Sequence, residues 1–255
     1  MESISTSTRK FIASLQQPKH RKREGLFVLE GTRAVLDTIP FFEVTHFVAT
    51  AQWLEAHGAE LPHGFAAVTV AKADDMSRMS SQSTPQGVLV VCRMKECAED
   101  FELRDGELLL ALDRVQDPGN LGTIMRVADW FGVTRIFASE DTVDVYNPKV
   151  IQASMGAVAR VEVRYCDLVE RLRGLGTMVP VYGTFLDGED IYGTQLSRGG
   201  IIVMGNEGNG ISPAVEAVVS RRIRIPTYPA DRDAVESLNV SMAAGITLAE
   251  FRRRV

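Results

Sequence analysis

Short apolar runs alternate with helical segments through residues 107–255, and this alternation limits the fold more than any other feature of the sequence. The run at 107–112 is apolar without a polar face, which is typical of a parallel strand buried on both sides. Strands that alternate with helices form βα units, and such units build a mainly parallel sheet. We therefore predict an α/β fold with a parallel sheet in this half of the chain.

The N-terminal half has its own alternation of strand-like and helical runs, from 26–29 to 88–91. This pattern is typical of a small α/β layer structure. The charged stretch that follows it lacks sustained periodicity, as linkers between domains do. The sequence predicts a first domain at 1–95, a linker at 96–106 and a second domain at 107–255.

The charge of the chain is unevenly spread. The formal net charge of -5 argues against a protein that binds nucleic acid by bulk electrostatics alone. Residues 1–33, however, hold seven Lys or Arg and three acids, a local charge of +4. Such a basic arm on an acidic body fits an element that contacts RNA, and the alternative is a solvated basic helix face. The candidate RNA-binding residues are Lys19, Arg21, Lys22, Arg23 and Arg33.

The cysteines and the hydropathy of the sequence indicate the cellular compartment of the protein. Cys92, Cys97 and Cys166 are an odd number without the spacing of a metal site. They indicate a reducing cytosol and small buried side chains, and they favour neither a disulfide framework nor zinc. The sequence has no apolar run of about 18 residues, so we expect neither secretion nor a membrane span, and we predict a cytoplasmic protein.

Three polar segments stand directly after an apolar strand or before a helix, at 113–126, 203–212 and 236–245. Each combines Gly, Asn or Ser with charged residues. A parallel α/β sheet presents backbone amides and polar side chains to a ligand at such positions. Three segments of this kind in one domain predict an enzyme site.

The first segment can be interpreted in two ways. Pro118 and Gly119 mark a sharp turn, and Asn120 stands where it could cap the next helix, which would make Arg126 a surface residue. In the functional interpretation, Asn120 and Arg126 point together into a cleft. Arginine suits that place because it stays charged and binds phosphate in a fork geometry.

The other two segments also allow a structural and a functional interpretation. The glycines at 205, 208 and 210 permit close backbone approach to a ligand, or they form a tight connection. Their spacing is neither the dinucleotide fingerprint nor a P-loop. In the third segment Ser237 or Asn239 could cap the last helix, while Leu238 is left for backbone contacts with a ligand.

Several catalytic signatures are absent from the sequence. It contains no H-E-x-x-H, no G-x-S-x-G and no paired C-x-x-C, and its four histidines all lie in the N-terminal third. Acid–base chemistry in the second half must therefore use Arg, Asp, Glu or the substrate itself.

Taken together, the three segments closely resemble the motifs of the SpoU (TrmH-like) RNA 2′-O-ribose methyltransferases of the SPOUT superfamily. The matching stretches are DPGNLGTIMR (117–126), MGNEGNGI (204–211) and SLNVSMA (237–243), here the first, second and third motif. The intervening NPKVIQASMGA (147–157) is also similar to the family. The stretch 21–31 and Gln86-Gly87 resemble the family's substrate-binding domain, a small α/β sandwich related to a ribosomal-protein fold.

This resemblance implies a deep trefoil knot, S-adenosylmethionine as methyl donor, a homodimer through the knotted domain, and no metal. It implies that the cofactor is held largely by main-chain groups, at Thr184, Gly205, Ile225 and Leu238. The catalytic residues that it implies are Asn120, Arg126, Glu207, Ser237 and Asn239.

The resemblance also assigns a role to each of these residues. Arg126 assists deprotonation of the ribose hydroxyl, or it orients the ribose and stabilises the developing alkoxide. Asn120 positions Arg126 and the ribose, and Glu207 shapes the cofactor loop. Ser237 and Asn239 hold the knot and the acceptor.

The resemblance favours ribosomal over transfer RNA as the substrate, because a separate N-terminal domain accompanies many family members that act on ribosomal RNA. A transfer-RNA ribose methyltransferase is the alternative within the family. The alternatives outside it are a non-catalytic RNA-binding protein on the same fold, a SPOUT enzyme that methylates a base nitrogen, and a generic nucleotide-binding α/β enzyme. The third motif favours ribose over base, and the loop spacings argue against the generic enzyme.

Overall fold

A computed structural model of the chain describes residues 4–62, 68–96, 103–176, 179–229 and 237–253. The elements up to residue 96 are α1 (Thr6–Ser14), α2 (Pro18–Glu24), β1 (Leu26–Glu30), α3 (Thr32–Thr38), β2 (Val44–Ala49), α4 (Ala51–His57), β3 (Val68–Val70), α5 (Ala73–Met79) and β4 (Val88–Arg93). The elements after residue 102 are β5 (Leu108–Leu112), α6 (Pro118–Trp130), β6 (Arg135–Ala138), α7 (Pro148–Ser154), β7 (Glu162–Tyr165), α8 (Leu168–Gly174), β8 (Val181–Asp190), β9 (Gly200–Met204), α9 (Pro213–Glu216), β10 (Arg221–Arg224) and α10 (Val240–Arg253). In these stretches no helix combines the length and the apolar character that crossing a membrane requires.

The chain divides into two compact units. The first comprises Met1–Glu96 and Asp144–Ala159, and the second comprises Cys97–Val143 and Arg160–Val255. The sheet of the first unit has the strand order β1-β4-β2-β3. Strand β4 pairs antiparallel with β1 and β2, whereas β3 pairs parallel with β2. This unit is thus a small α/β structure around a mixed sheet.

The second unit is built on a six-stranded sheet with the order β10-β8-β9-β5-β6-β7. All of its pairings are parallel, and every residue of the adjacent central strands β5 and β9 is buried. The prediction of an α/β fold with a parallel C-terminal sheet is confirmed. The trefoil knot stays a prediction.

Helix α7 belongs to a different part of the molecule than the sequence predicts. The sequence predicts a second domain at 107–255, which includes α7, but the structure places Asp144–Ala159, and α7 with it, in the first unit. Tyr146 brings it there, because its hydroxyl accepts a hydrogen bond from the Lys95 amide at 3.0 Å and its ring lies 4.5 Å from that of Phe27. One aromatic residue therefore attaches this segment to β1, more than a hundred residues earlier, through its ring, and to Lys95 through its hydroxyl.

Arg21 is buried, in contrast to its neighbours. Residues 19–23, part of the predicted basic arm, lie in helix α2, in which Lys22 and Arg23 are exposed and Arg21 is 1% exposed. The guanidinium donates to the Leu15 and Gln16 carbonyls at 3.1 and 2.9 Å and to Asp144 Oδ2 at 2.7 Å. The prediction that Arg21 contacts RNA is therefore wrong, because its donors are used inside the unit.

The described cysteines are reduced thiols in packed surroundings. Cys92 lies in β4 and is fully buried, and burial raises the pKa of its thiol to about 12. Burial also raises the pKa of the half-buried Cys166. The expectation of a small buried side chain is confirmed for Cys92, and Cys97 lies outside the described residues.

Replacing Arg21 by Met should destabilise the first unit. The change leaves Asp144 and two carbonyl groups without their donor, and removing one partner of a buried pair costs about 3 kcal/mol. We expect urea unfolding to show a loss of this size in the free energy of unfolding. The matched control is Lys22→Met on the same helix, where the side chain is exposed. Equal losses for the two variants would contradict the structural role of Arg21.

Candidate active site

Strand pairing brings the first and second motifs together. Strands β5 and β9 are parallel neighbours, and Leu112 at the end of one is paired with Met204 at the end of the other. Because the carboxyl ends of parallel strands meet at the same edge of a sheet, the loops that begin at Asp113 and Gly205 leave the sheet side by side. Residues more than ninety positions apart in the sequence thus become neighbours.

Two hydrogen bonds fasten these loops to each other. The carboxylate of Asp113, which is 2% exposed, accepts from the Ser212 amide at 2.6 Å. The side-chain amide of Asn206 donates to the Arg114 carbonyl at 2.9 Å. Arg114 has a φ of +59°, a left-handed conformation that is rare outside glycine, so the chain turns sharply after β5. The site is therefore built on braced loops.

Asp117 caps helix α6 and leaves the side chain of Asn120 available. The Asp117 side chain accepts from the Asn120 amide at 2.8 Å, and Pro118 occupies the first helical position. The suggestion that Asn120 is the cap is wrong, because the helix begins earlier than its apolar pattern indicates. Asn120 lies within the first turn, where its side chain makes contacts with other segments.

Asn120, Glu207 and Asn239 form one hydrogen-bonded cluster, here the amide–carboxylate cluster. Asn120 Nδ2 donates to Glu207 Oε1 at 2.5 Å, and Asn239 Nδ2 donates to Asn120 Oδ1 at 2.9 Å. Asn239 also caps α10, since its Oδ1 accepts from the Ser241 amide at 3.0 Å. Each motif contributes one member, so the three predicted segments converge at this place.

Arg126 and Ser237 stand at the margins of this arrangement. Arg126 is exposed on α6, six residues after Asn120, which corresponds to roughly 9 Å along the helix axis. Within the part of the chain that the structure describes, its guanidinium makes no hydrogen bond or ion pair. Ser237 is exposed at the start of the third motif. The structure therefore joins three of the five predicted catalytic residues and leaves the Arg126 side chain open to a ligand.

Only glycine fits at position 205. A Cβ there would lie 2.3 Å from the Gly210 carbonyl carbon and from the Ile211 nitrogen. The loop closes on itself through paired bonds between Asn206 and Gly210, N to O in both directions, at 3.0 and 2.9 Å. The second motif is thus a tight loop whose main chain is the surface that a ligand would meet.

The other predicted cofactor residues lie in β8, after β10 and before α10. Thr184 stands just beyond the part of β8 that pairs with β9, and its hydroxyl donates to the Val203 carbonyl at 3.1 Å. Ile225 comes directly after β10, the strand beside β8. Leu238 is 47% exposed next to Asn239. Thr184 and Gly205 therefore lie at the same edge of the sheet, whereas Ile225 follows Arg224, which pairs with Asp190 after a break in the register of β10 on β8. Leu238 adjoins the amide–carboxylate cluster.

Asp113 and Asn206 are site-building residues that the sequence reasoning missed. A carboxylate directly after a fully buried strand must find a partner, because an unpaired charge there is costly. Asp113 is such a carboxylate, and the partner is the Ser212 amide at the end of the second motif. The signal was present in the sequence, but its partner depended on which strand lies beside β5.

The remaining predicted RNA-binding residues lie on the surface of the first unit. Lys19, Lys22 and Arg23 are exposed on α2, and the Arg33 side chain is 83% exposed on α3. Arg23 and Arg33 each have an acidic neighbour, Glu24 at 2.7 Å and Asp37 at 3.4 Å. Across the described ranges, no group of three or more His, Cys, Asp or Glu is placed to hold a metal ion.

Two family models match the chain. The model of the SpoU rRNA Methylase family matches residues 107–249, which is more than half of the chain, and that of the MRM3-like substrate binding domain matches residues 8–90. The chain belongs to the SpoU rRNA methylase family. The family match spans all three motifs and the amide–carboxylate cluster.

Relatives and solved structures extend this family likeness over the whole chain. The 23S rRNA (guanosine(2553)-2'-O)-methyltransferase RlmP of Bacillus subtilis is 28% identical, over 99% of this chain and 98% of its own. A TrmH-family protein from Porphyromonas gingivalis is 40% identical, with a TM-score of 0.86 and 99% coverage of both chains. An AdoMet-bound rRNA methyltransferase from Sinorhizobium meliloti is 28% identical, with a TM-score of 0.86, over 100% of this chain and 97% of its own.

Gly205→Ala should open the loop of the second motif. The added methyl group collides with main-chain atoms, and overpacking of this kind costs about 3 kcal/mol at its upper end. We expect lower stability in urea and faster hydrogen exchange at the Asn206 and Gly210 amides. Gly208→Ala is the matched control, since its Cβ would meet nothing closer than Asn206 Oδ1 at 3.6 Å. Equal behaviour of the two variants would show that the loop does not need the close approach.

Proposed function

We propose that this protein transfers a methyl group from S-adenosylmethionine to a ribose 2′-hydroxyl of ribosomal RNA. The observation that carries the proposal is the convergence of Asn120, Glu207 and Asn239, one from each family motif, at the start of the helix that also carries the exposed Arg126. The full-length likeness to a 23S rRNA 2′-O-methyltransferase and to an AdoMet-bound rRNA methyltransferase supports the substrate and the cofactor. Since ribosomal RNA is the acceptor, the proposed compartment is the cytoplasm.

The residues at this edge of the sheet fit S-adenosylmethionine. Gly205 has no side chain that would hold a ligand away from the main chain at that position, and only glycine is accommodated there. Leu238 offers a half-exposed apolar surface next to Asn239, Ile225 follows the end of β10, and Thr184 lies in β8 just beyond the residues that pair with β9. When bound, this cofactor supplies a methyl group on a sulfonium. The amide–carboxylate cluster beside it is where the acceptor ribose would be held.

Arg126 is the proposed catalytic residue. A guanidinium stays protonated near neutral pH, so it is better suited to donate hydrogen bonds to the ribose oxygen than to remove a proton from it. Donors aimed at an oxygen that gains negative charge stabilise that charge. Arg126 would therefore orient the 2′-oxygen and stabilise its negative charge as the hydroxyl proton passes to solvent water and the methyl group moves from the sulfonium to the oxygen, which leaves a neutral thioether.

The amide–carboxylate cluster is the proposed positioning device. Asn120 already donates to Glu207 and accepts from Asn239, so its side chain has one orientation. Glu207 would hold the cofactor loop against the first turn of α6, and Asn239 would tie α10 to the same point. Ser237, exposed at the edge of the cluster, would contact the acceptor. Precise placement of the oxygen against the methyl group is a large part of catalysis in such transfers.

The exposed cations of the first unit are the proposed RNA-backbone contacts. Lys19, Lys22 and Arg23 extend from one short helix, and Arg33 extends from the next. Phosphates are bound by such side chains without regard to sequence, and the affinity falls with salt. Arg21 takes no part in these contacts, since it is buried.

We propose a homodimer through the second unit, with α10 as the contact element. Met242 on this helix is 59% exposed, although the opposite face of α10 packs on the sheet through Phe251. Sedimentation equilibrium should therefore give twice the chain mass of 28.0 kDa across a concentration series. A mass of one chain throughout the series would contradict the dimer.

Arg126→Ala should abolish methyl transfer while cofactor binding persists. Removing a donor that stabilises developing charge lowers kcat by about a hundredfold or more. Transfer is measured with tritiated S-adenosylmethionine on an unmethylated 23S rRNA transcript, and cofactor binding is measured by calorimetry.

The matched control for this variant is Arg173→Ala, an exposed arginine on α8. It should leave both measurements unchanged. Loss of cofactor binding in Arg126→Ala would instead mark Arg126 as structural. Absence of transfer by the unmodified protein on this transcript, despite cofactor binding, would remove ribosomal RNA as the acceptor.

A further inference from the structure

The first unit contains a pocket of about 370 Å³ at the edge of its sheet where β1 and β2 end and β4 begins. This volume is within the range of small-molecule sites. The lining residues are Thr32, Thr50, Gln52, Trp53, Ala56, His57, Ala73, Met76, Ser77, Pro85, Gln86 and Gly87. All of them belong to the first unit, so the pocket is separate from the motifs that form the candidate active site.

The chemistry of the lining restricts the ligand. Of the residues that the structure places around the pocket, none is Lys, Arg, Asp or Glu, and His57 is the one titratable side chain. A phosphate or a carboxylate would enter without a cation to pair with, and a metal ion would lack its ligands. The lining suits a neutral group that is partly apolar and partly polar.

Aromatic and thioether side chains form the apolar part. Trp53 and Met76 are 4% and 2% exposed and make the base of the pocket, and the indole nitrogen donates to Thr32 Oγ1 at 2.9 Å. The imidazole of His57 lies 5.3 Å from the Trp53 ring, tilted by 37°, and its side chain is 34% exposed. A flat ring placed here would meet an aromatic face, and base–aromatic stacking is a common way to hold a nucleobase.

Two glutamine side chains form the polar part. Gln86 Oε1 accepts from the Thr32 amide at 2.9 Å, which fixes the side chain, while its amide nitrogen has no hydrogen-bond partner among the described residues. Gln52, which also lines the pocket, is exposed on α4. A carboxamide both donates and accepts, as the edges of nucleobases do, so these groups can read a base edge.

The walls are preformed. Gly87 has a φ of +82°, and a Cβ there would lie 2.8 Å from Thr50 Oγ1, so the wall closes only with glycine. The loop before it is held by Glu30, whose carboxylate accepts from the Ser81 amide and hydroxyl, both at 2.9 Å. A site that is already shaped loses little entropy when a ligand enters.

Charged side chains of both signs flank this uncharged pocket. Glu55 precedes the lining residue Ala56, and Glu60 Oε1 lies 2.6 Å from His57 Nδ1. Arg33 follows the lining residue Thr32 and is 83% exposed, and the exposed Lys72 precedes the lining residue Ala73. An unstacked nucleotide has a neutral, planar base and anionic backbone phosphates. The pocket would take the base, and of the charged residues around it Arg33 and Lys72 are the ones suited to contact the phosphates.

From these observations we infer that the pocket receives one unstacked nucleobase of the RNA substrate, stacked beside His57 and read at its edge by Gln52 and Gln86. The inference rests on the proposed function for the identity of the RNA. It deepens that function by giving the N-terminal unit a base contact in addition to its phosphate contacts. A base contact of this kind lets the unit select a single-stranded site.

The first test measures the pocket without any methylation. The chain has two tryptophans, and Trp130→Phe, at a position 85% exposed, leaves Trp53 as the sole tryptophan reporter. This variant is titrated with each nucleoside 5′-monophosphate, with ribose 5-phosphate, and with N-acetylglycinamide as a peptide-like amide. The readout is tryptophan fluorescence, excited at the red edge of the absorption band. We expect saturable quenching by at least one nucleotide and none by the other two probes.

A blocking variant and a matched control complete this test. Ala56→Phe fills the pocket from an exposed position on α4, whereas Glu55→Phe adds the same ring at an exposed neighbour outside the lining. The quenching should be lost in the first variant and kept in the second. Quenching by ribose 5-phosphate or by the amide, quenching that survives Ala56→Phe, or no quenching by any nucleotide would overturn the inference.

The second test links the pocket to methyl transfer and separates the two proposals. On the 23S rRNA transcript, Ala56→Phe should raise the KM for RNA tenfold or more, as loss of one stacked base does, with kcat and cofactor affinity unchanged. Glu55→Phe should change none of these. If the unmodified protein does not methylate this transcript, the proposal of ribosomal RNA as the acceptor is wrong. The nucleotide titration then still decides whether the pocket binds a nucleobase. An unchanged KM in an active Ala56→Phe enzyme would overturn the inference.

Discussion

The parallel pairing of β5 with β9 is the constraint on which the candidate active site depends. It makes Leu112 and Met204 neighbours, so that the first and second motifs leave the same edge of the sheet together. Both strands are fully buried. A shift of their register would expose apolar side chains or leave the buried carboxylate of Asp113 without its hydrogen-bond partner. Core packing and site geometry are therefore settled by the same pairing.

The polar residues of the motifs either cap helices or form the amide–carboxylate cluster. Asp117 satisfies the first turn of α6, which leaves Asn120 to join Glu207 and Asn239. Asn239 does both tasks, because its carbonyl oxygen caps α10 while its amide nitrogen reaches Asn120. Such a cluster needs few residues, and it holds each of their side chains in one orientation. Such preorganisation is what a transfer reaction requires of its positioning groups.

In the first unit, burial separates basic residues that the sequence presents as one group. Arg21 and Lys22 are adjacent, but a helix turns successive side chains by about 100°, so one is buried against Asp144 and the other faces solvent. The same unit pairs a basic surface with an uncharged pocket lined by Trp53 and His57. This combination is suited to RNA, whose phosphates and bases call for opposite environments.

Much of the fold could be predicted because it depends on local patterns. The alternation of apolar runs with helical segments indicated the parallel sheet, and the Gly, Asn and charged residues at strand ends indicated the three motifs before any contact was known. The sequence also determined which residues could form a tight loop, since Gly205 has no tolerated substitute in that geometry.

Tertiary structure alone decided which of these residues meet. The hydrogen bonds between Asn120, Glu207 and Asn239 join positions 87 and 119 residues apart, and no periodicity in the sequence encodes such a distance. The burial of Arg21 depends on Asp144, 123 residues away, for the same reason. Local sequence specifies helices, strands and turns, whereas partners for polar groups across the chain are chosen by how the sheet orders its strands and by the cost of leaving a buried charge unpaired.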